Sequence, residues 1–76
     1  MEIVAEILLF CDRRRSKTNI MYKTNLNYSQ LQSSLIFLTS RGLLGREMDK
    51  YVTTEKGYRF LELFTEMQFI LNDDAV

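Results

Sequence analysis

Six apolar residues in the first dozen positions, Ile3, Val4, Ile7, Leu8, Phe10 and Cys11, recur at intervals of three and four. That spacing predicts a first helix with a broad apolar face, ending near Arg13-Arg14-Arg15. Cations there are well placed, because a helix C-terminus carries partial negative charge. Ser16 is a good N-cap for a short second helix over about residues 17 to 23, which turns Ile20 and Met21 inward. Thr24-Asn25-Leu26 interrupts the pattern as a tight turn, with Leu26 as its apolar plug. Asn27 then caps a third helix in which Leu31, Leu35 and Leu38 fall at i, i+4 and i+7. Gly42 stops it at the position where a left-handed residue is wanted.

Beyond Gly42 the period changes. Leu43-Leu44-Gly45-Arg46-Glu47 and Lys50-Tyr51-Val52-Thr53 flank Met48-Asp49 and predict a two-stranded hairpin. Thr53 or Thr54 caps a last helix over residues 55–71, with Glu55 in its first turn, where a carboxylate meets the positive end of the helix dipole. The predicted fold is mainly α with a small β-hairpin, in the order α-α-α-β-β-α, as a single domain over residues 1–76. Helix, helix, turn, helix, hairpin, helix is the order of a winged helix-turn-helix domain.

Composition narrows the chemistry. The chain has no His and one Cys, so imidazole-based relays, His-ligated metal sites and an internal disulfide framework are excluded. Glu62/Glu66 and Asp73/Asp74 are the paired carboxylates, and neither pair has a base or metal partner, so both read as solvated surface. The expectation is a non-enzyme that needs no cofactor and no metal, with no small-molecule ligand evident. The longest apolar run is Ile7-Leu8-Leu9-Phe10-Cys11, far short of the roughly 18 residues of a membrane span, and the Glu2 start does not read as a signal peptide. A cytoplasmic protein follows, and Cys11 on the first helix's apolar face reads as a small buried hydrophobe, with an intersubunit disulfide or a redox role as the alternatives.

The net charge of zero conceals an uneven distribution. Residues 13–59 hold all ten Lys and Arg against only Glu47, Asp49 and Glu55, a net of +7, and no acid occurs between Arg13 and Arg46. Acidic segments flank this basic centre on both sides. Such asymmetry points to nucleic acid.

The stretch Leu26-Asn27-Tyr28-Ser29-Gln30-Leu31, then Leu35, Leu38 and Arg41-Gly42-Leu43-Leu44, then Tyr51-Val52-Thr53-Thr54-Glu55-Lys56-Gly57, resembles the small winged-helix regulators of archaea and their viruses. The resemblance covers residues 3 to about 71 and implies a homodimer that binds double-stranded DNA and pairs through its C-terminal helix. It implies location in the cytoplasm with the nucleoid, or in the host cytoplasm for a viral protein. One departure is Ser34, where the family carries an aromatic or bulky residue midway along the third helix.

With Leu35 as the inward reference, a rotation of about 100° per residue puts Tyr28, Leu31 and Leu38 on the buried stripe. Ser29, Gln30, Ser33, Phe37 and Ser40 lie opposite, with Gln32 and Ile36 at the edge. The residues expected to read bases are Tyr28, Ser29, Gln30, Gln32 and Ser33, since Gln pairs with adenine and Ser donates or accepts at several base edges. Phosphate contacts are expected from Arg13, Arg14, Arg15, Lys17, Lys23, Arg46 and Lys50. Arg41 closes its helix, and Arg59 pairs with Glu55 or Glu62.

The last helix holds more apolar residues than one stripe can bury, and a second copy would cover the remainder, with Phe60, Phe64, Met67, Ile70 and Leu71 as the seam. A two-fold dimer predicts inverted half-sites about ten base pairs apart. The rival reading is a winged helix that binds protein rather than DNA, with exposed Ile36, Phe37 and Tyr51 as its contact residues.

Overall fold

The computed structural model describes residues 2–73. Helix α1 (Glu2–Phe10) buries Ala5, Ile7 and Leu8. It ends at Phe10 and does not reach the arginine run, because its last carbonyls are taken by other partners. The Arg15 Nε–H donates to the Phe10 carbonyl at 2.8 Å, and its guanidinium lies 4.2 Å from the centre of the Phe10 ring. Thr53 donates its hydroxyl to the Leu8 carbonyl and its N–H to the Cys11 carbonyl, at 2.6 and 2.8 Å.

Freed from α1, the chain at Arg15–Ser16 forms a short strand, β1, which the sequence reading did not contain. Ser16 then caps α2 (Lys17–Thr24), its hydroxyl accepting the Asn19 N–H at 3.2 Å. The turn rests on Asn25, whose φ of 62° is left-handed, a conformation asparagine tolerates better than most residues. Helix α3 (Tyr28–Ser40) begins with a reciprocal cap: Gln30 N–H donates to the Asn27 side chain at 2.8 Å, and Asn27 N–H donates to Gln30 Oε1 at 3.2 Å. It ends at Arg41, with Gly42 at φ 76° and Leu43 N–H donating to the Leu38 carbonyl at 2.9 Å.

Strands β2 (Leu44–Glu47) and β3 (Lys50–Thr53) form the expected hairpin around Met48-Asp49. β3 also pairs with β1, Arg15 opposite Tyr51 and Ser16 opposite Lys50, so the sheet has three strands in the order β1-β3-β2. Helix α4 (Glu55–Asp73) is capped by Thr54, whose hydroxyl accepts the Gly57 N–H at 3.1 Å. It extends past the expected Leu71, and the reading of Asp73 and Asp74 as solvated surface falls outside the described side chains.

One core joins the elements, with Ile7, Leu8 and Cys11 from the α1 segment, Ile20, Leu31, Leu35 and Leu38 from α2 and α3, and Leu44, Tyr51 and Leu61 closing it. Cys11 is a free, buried thiol, and burial pushes it up to about 11, with Arg15 pulling the other way and Asp12 adding to the rise. Ser34, the residue at the family's bulky position, is half-buried. Only the first half of α4 packs on this core, through Leu61 and the partly buried Phe60 and Phe64. The second half runs on, which accounts for dimensions of 45 × 25 × 19 Å.

Candidate nucleic-acid interface

Leu31, Leu35 and Leu38 pin α3 to the core and fix which flanks it shows to solvent. Ser29, Gln30, Ser33, Ile36, Phe37 and Ser40 are exposed, as expected, and Gln32 is half-buried. Tyr28 departs from its predicted place on the buried stripe: it is 59 % exposed. The first turn of α3 outruns the core, and the Tyr28 ring lies against the Lys17 ammonium, 5.4 Å from the ring centre.

One exposed flank of α3 faces the sheet across a cleft of about 200 Å³. Gln32, Ile36 and Thr39 line it from α3, Lys17 from α2, and Arg46 and Tyr51 from the hairpin. The Lys17 ammonium donates to Gln32 Oε1 at 2.8 Å. Arg46 is held on the hairpin by its Nε–H, which donates to the Met48 carbonyl at 3.0 Å, and its guanidinium lies 5.9 Å from the centre of the Tyr51 ring. Tyr51 is only 5 % exposed, which removes it from the contact residues of the protein-docking reading. Strand alternation carried this signal, since Tyr51 and Thr53 share one face of β3 and Thr53 was already expected at the root of α4.

The seven expected phosphate ligands divide. Lys17 and Arg46 border the cleft, and Lys50 is exposed on β3 beside the turn. Arg13 is exposed in the α1–β1 loop, where Arg14 pairs with Glu47 of β2 at 3.1 Å. Arg15 is folded onto Phe10 and Asp12, and Lys23 borders a depression with Glu6 and Asp12 against α1, away from α3 and the hairpin. Gln30 sits on the flank of α3 away from the cleft, its amide oxygen engaged by the Asn27 N–H. Arg41 lies over Phe37, 4.8 Å from the ring centre, and Arg59 pairs with Glu62 at 3.5 Å.

The sequence profile of the winged helix-turn-helix family matches residues 1–72. The chain belongs to the winged helix-turn-helix family. In that family's terms α2, the Asn25 turn and α3 are the helix-turn-helix, and β2–β3 is the wing. The chain is similar to Sso10a-2, a DNA-binding protein from Sulfolobus solfataricus, whose crystal structure matches with a TM-score of 0.74 at 30% identity over 97% of this chain and 85% of that one. It is also 31% identical, over 93% of its length and 74% of the other's, to an uncharacterised protein of Methanocaldococcus jannaschii. Among the described residues no helix is long and apolar enough to cross a membrane.

On the winged-helix scaffold, what the sequence reading missed is the contact between Lys17 and Gln32. These residues are 15 positions apart and belong to different helices, so no local spacing links them. The Arg14–Glu47 pair between the α1–β1 loop and the wing was missed for the same reason.

Proposed function

We propose that this winged helix-turn-helix protein binds double-stranded DNA sequence-specifically as a homodimer and regulates transcription, with α3 in the major groove and the wing on the phosphate backbone. The observation that carries this reading is the cleft between α3 and the wing. Its polar side chains are the cations Lys17 and Arg46 and the neutral Gln32, Thr39 and Tyr51, and the chain has no acid between Arg13 and Arg46. The DNA-binding neighbour with the same fold supports it. A dimer is supported by α4, whose second half exposes Met67, Ile70 and Leu71 beside partly buried Phe60 and Phe64. These five positions advance by four, three, three and one, a spacing that keeps them on one side of a helix. The protein works by occupying a promoter or recruiting others to it, in the cytoplasm with the nucleoid, and performs no chemistry.

Fluorescence-anisotropy titration of labelled duplex DNA at two salt concentrations, with a scrambled competitor, tests the reading. Binding that weakens steeply with salt and resists the scrambled competitor is expected. No binding even at low salt overturns it and favours the protein-docking alternative, for which exposed Ile36 and Phe37 remain the contact residues.

A further inference from the structure

An ammonium group has three donors and no acceptor, so the end of the Gln32 amide that faces Lys17 at 2.8 Å is the carbonyl oxygen. The same logic applies to Gln30, whose oxygen faces the Asn27 N–H. Each glutamine of α3 therefore has one of its oxygen's two lone pairs engaged inside the protein, while its NH₂ group stays free. This changes which base Gln32 can read. Pairing a glutamine with adenine needs the amide oxygen to accept from N6 while the nitrogen donates to N7. At Gln32, an approaching adenine amino group meets a lysine cation beside the oxygen, donor against donor. Guanine presents two acceptors, O6 and N7, on the same edge. The Gln32 NH₂ and the remaining N–H bonds of Lys17 offer donors to both.

We infer that Lys17 and Gln32 act together as the specificity-determining pair, presenting an edge dominated by donors, with the amide oxygen shadowed by the lysine cation, and selecting guanine over adenine at the base pair that Gln32 faces. Lys17 is the positioning residue, and it inverts the usual preference of the glutamine. The inference rests on the DNA-binding reading above. Ser29 and Ser33 do not decide the matter, since a hydroxyl both donates and accepts.

Selection of bound duplexes from a random pool, followed by competition between single-base variants of the selected site, tests the pair. Gln32→Ala locates the base pair, as the position whose preference it relaxes. There the unmodified protein should favour guanine over adenine by about 5- to 150-fold, the range of one good paired contact. Lys17→Met frees the amide oxygen and should move the preference toward adenine while weakening all sequences, whereas Lys17→Arg keeps the donors and should keep guanine. Where Lys17→Met binds too weakly to measure, the same competition at lower salt gives the readout, since lost phosphate attraction is recovered there. An adenine preference in the unmodified protein, or a guanine preference that survives Lys17→Met, overturns the pair. Absence of binding to any duplex at low salt instead overturns the DNA reading itself.

Discussion

The Thr53 hydroxyl donates to the Leu8 carbonyl at 2.6 Å, joining residues 45 positions apart in a buried contact between the wing and α1. Thr53→Val keeps the shape and removes the donor, leaving a buried carbonyl unpaired. The expected cost is about 1–3 kcal/mol, seen in urea denaturation as a lower midpoint with an unchanged slope.

At Gly57 the usual effect of adding a methyl group inside a helix should change sign. Alanine in place of glycine normally stabilises a helix by about 1 kcal/mol. Here a Cβ would lie 2.4 Å from the Leu43 carbonyl oxygen and 2.6 Å from Thr53 Cγ2. Gly57→Ala is expected to destabilise by about 1–3 kcal/mol, read as a lower melting temperature, with a stabilised protein as the contrary result.

Met67 and Ile70 are exposed on the distal half of α4, so acidic replacements there should spare the fold. Met67→Asp combined with Ile70→Asp is expected to halve the mass measured by sedimentation at micromolar concentration, with the circular dichroism unchanged. A parent protein that already sediments as a monomer would rule out the seam.

Arg46 borders the cleft, and we propose it as a phosphate contact of the wing. Arg46→Ala should weaken every duplex alike and reduce the salt slope by about 1. A change in the selected sequence would place Arg46 on a base instead.

Cys11 ties stability to alkaline pH. Its thiol rises from the ordinary 9.0 to about 11 because burial disfavours the thiolate. The folded state thus holds its proton over a range where the unfolded chain has released it. The stabilisation is complete below pH 9 and is lost as pH rises through 11. Denaturation midpoints should fall across that window in the native protein and fall less in Cys11→Ala. At neutral pH the thiol should react with a chromogenic disulfide reagent only on unfolding.

The helices were legible because each carries its own punctuation: Ser16 and Asn27 as caps, Asn25 and Gly42 as left-handed stops, and leucines at three- and four-residue spacing. β1 was not legible, since two residues are too few to show a period and Arg15 was read as the end of a helix. Tyr28 has the angle of a core residue yet lies beyond the core's edge, which an angular projection does not register. The candidate site was legible as a set of charges and amides, and the Asn27–Gln30 cap was a local pattern open to reading, but the partners that tie up Arg15 and Gln32 come from a backbone reversal and from another helix.

Hydrogen bonds tie the junction between α3, the wing and α4. Thr54 donates its hydroxyl to the Gly42 carbonyl at 2.6 Å and its N–H to the Leu43 carbonyl at 3.1 Å, while the Lys56 ammonium reaches the Arg41 carbonyl at 2.7 Å. Two copies joined along α4 would therefore carry their reading helices as one rigid caliper. Each base pair inserted between half-sites turns one of them by about 34–36° around the duplex. With these ties resisting that rotation, the DNA itself would have to twist or bend, so the phase of the sites, as much as their sequence, would govern occupancy.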